Sequence, residues 1–163
     1  MDAAPLPLLS FEDFYVENHD RVARALALTL GNRSLAFDAT DEAFARAWSR
    51  WASVSAHVNP AGWVCRVALN WATSWLRKLR REQPDVYVDR PVPAVGRDLD
   101  LDRAIAHLSV EHRSVVVLRH LEGWSTYETA QVLEVSEGTV KSRLSRALDQ
   151  LSAELNQPER SSS

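Results

Sequence analysis

The amino-acid sequence predicts an all-α fold: two small helical domains joined by a linker, the C-terminal one containing a helix-turn-helix. Three observations carry that prediction. The stretch Ser125–Leu151, STYETAQVLEVSEGTVKSRLSRALDQL, reads as two helices with a tight turn between them. Asn59-Pro60 sets a capping side chain before a proline at the first helical position and opens a long amphipathic stretch. Between these, Gln83–Asp98 holds Pro84, Pro91, Pro93 and Gly96 with no sustained periodicity, as a connector does. The domains are therefore expected at residues 1–82 and 99–163, with 83–98 between them.

Residues 1–10 are expected to form a loose lead. Ser10 is placed to cap a helix that begins FEDF and keeps helical patterning through Leu30, where Gly31-Asn32 ends it. A second helix is expected over Asp38–Trp51, with Phe44, Ala47, Trp48 and Trp51 at i, i+3, i+4 and i+7. A loop follows over Ser53–Asn59, and the helix from Pro60 is expected to end near Arg81. On its helical wheel Trp63, Val64, Val67, Ala68, Trp71, Trp75 and Leu79 fill one broad apolar face, while Arg66, Asn70, Thr73, Arg77 and Arg80 line up on another. An asparagine flanked by arginines can pair with a base edge while the guanidiniums hold phosphates. A solvated basic face beside a tryptophan-rich core fits the same residues equally well. Tryptophan can stack on unpaired bases, but the position of Trp63, Trp71 and Trp75 on the apolar stripe favours core packing.

The second domain is expected to begin near Leu99. Val115-Val116-Val117 has the composition of a strand, yet its flanks and the stop at Gly123 favour a helix. Ser125, with Glu128 three residues later, can close a capping box. Ala130 offers a small residue where two helices cross, Glu134-Val135 breaks the first helix, and Ser136 can cap the second. In that second helix Val140, Leu144, Ala147, Leu148 and Leu151 share one arc. The opposite arc carries Thr139, Ser142, Ser145 and Arg146, with Lys141 and Arg143 on its flanks and no acid from Gly138 to Leu148. A basic amphipathic helix is often only a solvated face. The order cap, helix, turn, cap, helix, joined to an acid-free outer arc, points instead to phosphates and major-groove base edges.

Composition narrows the function classes. The chain has 163 residues, enough for two small domains, and 45% hydrophobic content, which is globular. One cysteine, Cys65, excludes a disulfide framework and a multi-cysteine zinc site, and its apolar helical setting suggests a packed thiol. No apolar run reaches the roughly 18 residues of a membrane span, and the N-terminus lacks a basic start and cleavage site, so a cytoplasmic protein is expected. No cofactor is expected either: His19, His57, His107, His112 and His120 have no metal-ligand spacing, and no Gly-rich phosphate loop, nucleophile elbow or acid dyad appears. The net charge is −3, but its distribution decides more. Met1–Cys65 carries eight acids against five bases, Arg66–Arg81 five bases and no acid, and Glu82–His112 seven acids against three bases. Positive charge is confined to two short helices, so free duplex should be bound weakly unless a partner holds the protein in place.

EGWSTYETAQVLEVSEGTVKSRLSRA, with LSVEHRSVVVLRH upstream, resembles the promoter-binding C-terminal domain (region 4) of bacterial sigma factors, in particular the small extracytoplasmic-function (ECF) group. AFDATDEAFARAWSRW followed by NPAGWVCRVALNWATSWLRKLRR is similar to region 2 of the same group. The matches cover roughly Phe11–Arg81 and Leu101–Leu151. The resemblance implies that Asp38, Asp41, Glu42, Phe44 and Trp48 belong to the segment that docks on RNA polymerase core (the β′ subunit, with β as a further contact). It places Asn70 at the asparagine of a V-A-x-N motif that meets the melted minus-ten strand, and Ser53–Asn59 at a base-pocket loop. Arg119, Lys141, Ser142, Ser145 and Arg146 match promoter-facing positions for the minus-thirty-five duplex. The family also implies an anti-sigma protein as an inhibitory partner.

The sequence departs from the family pattern at three points. Asp41 stands where D-x-x-Q-E typically has glutamine, Ser145 stands where some members carry an aromatic, and the linker and tail leave no room for a further regulatory domain. Two rival classes are weaker. A stand-alone helix-turn-helix repressor or activator explains residues 99–151 but neither the Asn70 stripe nor the linker, and an enzyme lacks any catalytic constellation.

Overall fold

The computed structural model describes residues 9–85 and 99–157. Most of the expected lead and linker, and the end of the tail, lie outside the described residues. The chain divides into two compact units, Met1–Ala27 with Arg33–Tyr87 and Leu28–Asn32 with Val88–Ser163.

α1 spans Phe11–Leu30 and belongs to the first unit through Ala27; α2 Arg33–Ser49, α3 Trp51–Val54 and α4 Pro60–Glu82 lie wholly within that unit. Ser10 Oγ accepts from the Asp13 amide at 3.1 Å, as the cap reading expects. Gly31 takes a φ of 67°, the left-handed conformation that closes a helix without a Cβ clash. The second helix starts at Arg33, five residues before the expected Asp38. The reason lies in the buried face: Leu35 and Ala36 already point inward, continuing the register of Ala39, Thr40, Ala43, Phe44 and Ala47. It also stops before Trp51, because Arg50 leaves helical geometry (φ −126°, ψ 27°) and a separate short turn, α3, begins. That turn takes Ser53 and Val54 from the expected loop and buries Val54.

Asn59 caps α4 through its Oδ1, which accepts from the Gly62 amide at 2.9 Å. α4 packs along α2. The buried residues of the pair are Leu35, Ala36, Ala39, Thr40, Ala43, Phe44 and Ala47 on α2 and Gly62, Val64, Cys65, Ala68 and Ala72 on α4, most of them small. Cys65 is thus a packed thiol. The tryptophans are not in this core. Trp63 and Trp71 are half-buried and Trp75 is 40% exposed. The buried arc of α4 runs instead through Gly62, Val64, Cys65, Ala68 and Ala72.

In the second unit α5 spans Leu99–His107, α6 Val110–Val116, α7 Thr126–Leu133 and α8 Glu137–Leu155. Val115–Val117 is helical, as its flanks suggest, and the coil then widens into a π-helical turn over Val117–Leu121. Gly123 ends it with a φ of 69°. Two clusters share Leu144: Ala104, Ile105, Leu108, Val116, Ala147 and Leu151 form one, Val115, Ala130 and Val140 the other. Leu148, expected on the buried arc, sits at its rim and is 40% exposed. Among the described residues no helix is long and apolar enough to cross a membrane.

Candidate nucleic-acid and partner interfaces

The helix-turn-helix is fixed by local chemistry. The Ser125 amide donates to Glu128 Oε2 at 2.8 Å while the Glu128 amide donates to Ser125 Oγ at 3.0 Å, which closes the capping box. Glu134 turns the chain with a left-handed φ of 56°, and the Val135 amide returns to the Ala130 carbonyl at 3.1 Å. Ser136 Oγ then accepts from the Thr139 amide at 3.1 Å and starts α8. Val140 is fully buried beside Ala130, so the two helices cross where the small residue predicts.

On the outer face of α8, Lys141, Ser142, Ser145 and Arg146 are exposed, and Arg143 is half-buried at the flank. Two expected members differ. The Thr139 hydroxyl lies 2.9 Å from Ser136 Oγ and is half-buried, so it reinforces the cap. Arg119 is half-buried and donates a guanidinium N–H to the Trp124 carbonyl. It braces the turn that leads into α7, which leaves less of its charge to meet a phosphate.

The α4 stripe is presented as expected: Arg66, Asn70, Thr73, Arg77 and Arg80 are all exposed. Thr73 Oγ1 donates back to the Leu69 carbonyl at 2.7 Å, so its hydroxyl is already engaged. The displaced tryptophans change what this surface can do. Trp63, Val67, Trp71 and Trp75 follow one another at i+4 along the border between the core and the Asn70 stripe. Trp63 and Trp71 are partly open to solvent and Trp75 is exposed, and stacking on splayed bases is one use of such rings.

On α2, Asp38 and Asp41 are exposed, and Glu42 holds Arg46 at 2.9 Å in a surface pair that contributes little to stability. Trp48 is 67% exposed. Phe44 is buried at 2%, between Phe14 (5.5 Å) and Tyr15 (5.2 Å), so the side chain expected at the docking contact supports that face from beneath. Two residues that sequence reasoning missed join the patch. Tyr15 is 39% exposed, and His19 reaches Asp41 from α1 with Nε2 2.7 Å from Oδ1. Only the packing of α1 on α2 brings them there. The i, i+4 pair Tyr15 and His19 was the one local signal available.

Known proteins carry the same two segments. The Sigma-70 region 2 family matches residues 14–82, and the Sigma-70, region 4 family matches residues 98–151. The RNA polymerase sigma-E factor of Streptomyces coelicolor is 34% identical over 154 residues, covering 91% of this chain and 87% of that protein. The ECF RNA polymerase sigma factor SigM of Mycobacterium tuberculosis is 30% identical over 144 residues, covering 85% and 73%. In fold, the chain is similar to the sigma factor RpoE solved in complex with the anti-sigma factor NepR from Bartonella quintana. The TM-score is 0.78 at 23% identity, over 91% of this chain and 98% of that one.

Proposed function

The chain belongs to the sigma-70 family, in its extracytoplasmic-function group, and from that premise we propose how its residues bind RNA polymerase core and direct promoter-specific transcription initiation. Residues 1–82 dock on the β′ subunit through Asp38, Asp41, Glu42 and Trp48, with Tyr15 beside them, and read the melted minus-ten strand through α4. Residues 99–163 read the minus-thirty-five duplex through Lys141, Ser142, Arg143, Ser145 and Arg146, and 83–98 spans the distance between. The β subunit is a further contact on the polymerase.

The observation that carries this reading is one chain holding both a helix-turn-helix with a basic outer face and a second helix whose exposed Asn70–arginine stripe runs beside the half-buried Trp63 and Trp71. A repressor that binds intact duplex needs only the first. Docking holds two weakly basic helices on DNA that the acidic remainder of the chain would otherwise avoid. Capturing an unpaired base at Asn70, with an indole to stack on, offsets an unstacking cost of a few kcal/mol, so binding itself favours opening. No residue performs covalent chemistry in this scheme. The protein acts in the cytoplasm, and an anti-sigma protein that covers these surfaces is the inhibitory partner the family implies.

Run-off transcription with purified core polymerase on genomic fragments tests the reading. The expected result is initiation from defined promoters by the complex and little specific binding by the protein alone. Tight sequence-specific binding by the protein alone, with no stimulation of core, would establish the repressor instead.

A further inference from the structure

The α2 face meets a titratable group from outside its own segment. His19 Nε2 lies 2.7 Å from Asp41 Oδ1, and Nδ1 lies 3.1 Å from Asp20 Oδ1. The imidazole is only 13% exposed, stacked on Tyr15 at 4.7 Å, with Phe44 at 5.3 Å and Phe37 at 6.4 Å forming the rest of its wall. A neutral imidazole has one N–H and one lone pair, whereas an ionised carboxylate only accepts. Both contacts are therefore hydrogen bonds only if the ring carries both protons. The arrangement is an imidazolium held between two carboxylates, one from its own helix and one from the docking helix.

Resting on the reading that this face docks on RNA polymerase, we propose that His19 is a positioning residue that sets the charge the face presents. As an imidazolium it holds Asp41 and cancels its charge; on losing its proton it returns that charge to the docking partner. A neutral ring keeps one hydrogen bond, to the shorter and cross-helix partner Asp41, while Asp20, 79% exposed, turns to water. The three groups together then pass from one net negative charge to two.

The charged groups that face the ring are Asp20 from α1 and Asp41 from α2, with the Tyr15 phenol beside it. Burial lowers the His19 pKa, but the hydrogen bonds its ring donates to Asp41 and Asp20, and their charges, raise it more, so the net shift is upward from 6.5. A cationic group on the polymerase that approaches Asp41 competes with the imidazolium for the same carboxylate. Docking and protonation thus oppose one another, and each must weaken the other to the same extent.

The test is the affinity of the full-length protein for core polymerase, measured by titration from about pH 6 to about pH 8.5, for the parent, His19→Gln and Trp48→Ala. One linked proton allows at most about a tenfold change per pH unit. The parent should tighten with rising pH by roughly three- to tenfold more than His19→Gln over that range, the glutamine variant keeping a donor for Asp41 but no titration. Coincident pH slopes for the two, or a parent that weakens as pH rises, overturn the proposal. Trp48→Ala separates the two levels. If it leaves core affinity unchanged, the docking reading falls and this proposal with it. If it weakens docking while the slopes coincide, only the role of His19 is wrong. The imidazole titration followed by NMR in the free protein needs no polymerase. Asp41→Asn should lower the His19 pKa, and an unchanged value overturns the pairing.

Discussion

Asn70→Ala separates recognition from folding because of where the side chain sits. Asn70 is exposed on α4, so truncating its side chain removes little buried contact. Alanine is the better helix former by roughly 0.5 kcal/mol, so the variant should be as stable as the parent or slightly more stable. Any loss is then a loss of recognition. One polar contact to a base edge is worth about 1–3 kcal/mol, which converts to roughly a 5- to 150-fold drop in open complex. Permanganate footprinting of the melted strand on a linear promoter reads that drop, while protection of the minus-thirty-five duplex should stay at the parent level. On a pre-melted bubble template the need to open disappears but the need to recognise the base does not, so rescue should be partial. If Asn70→Ala opens a linear promoter as well as the parent does, the stripe is a solvated face and the assignment is wrong.

Phe44→Ala should cost about 3–5 kcal/mol of stability, since a buried ring leaves a cavity among Phe11, Phe14 and Tyr15. Trp48→Ala should barely move the melting midpoint but weaken core association; equal effects of the two in thermal melts and pull-downs would contradict the division drawn between them. Ser136→Ala removes the cap that holds the Thr139 amide and should destabilise the second unit by about 1 kcal/mol, visible as a lower denaturation midpoint. Lys141→Ala and Arg146→Ala should each lessen the salt dependence of duplex binding by holoenzyme, by about one unit of slope; unchanged slopes would move the phosphate contacts elsewhere. The folded-state pKa of His19 is raised, so its contribution to stability is fully present below 6.5 and is lost as pH rises through the folded value. Urea midpoints should therefore fall across that window in the parent and stay flatter in His19→Gln.

What was legible in the sequence was what local chemistry fixes. Ser10, Asn59, Ser125 and Ser136 each cap a helix through a bond to a residue three positions on, and such bonds need no knowledge of the fold. The helix-turn-helix was readable for that reason. The start of α2 was missed because Leu35 and Ala36 carry the buried register back beyond the first acid. The tryptophans were misplaced because apolar type is not depth. Trp63, Trp71 and Trp75 lie on the apolar side of α4 by residue class, yet the residues that reach the interior are its small ones. Arg119 and His19 depended on partners that only folding supplies, the Trp124 carbonyl after a π turn and the Asp41 carboxylate on another helix.

The small-residue seam between α2 and α4 has a consequence for mechanism. α2 packs along α4, and most of the buried residues on both helices are small, Ala36, Ala39, Ala43 and Ala47 on one and Gly62, Cys65, Ala68 and Ala72 on the other, so sliding or rotating either helix would cost close packing. The outer face of one carries Asp41 and Trp48; the outer face of the other carries Asn70 and the arginines. Under the proposed docking, an interface of this kind transmits position directly: fixing α2 on the polymerase would fix the stripe of α4. The same packing leaves Trp63, Trp71 and Trp75 outside the buried arc of α4. A core built from tryptophan would have buried those rings and spaced the helices further apart. In this chain the small residues of the interior and the partly open indoles beside the proposed DNA-reading face are therefore one choice of residues.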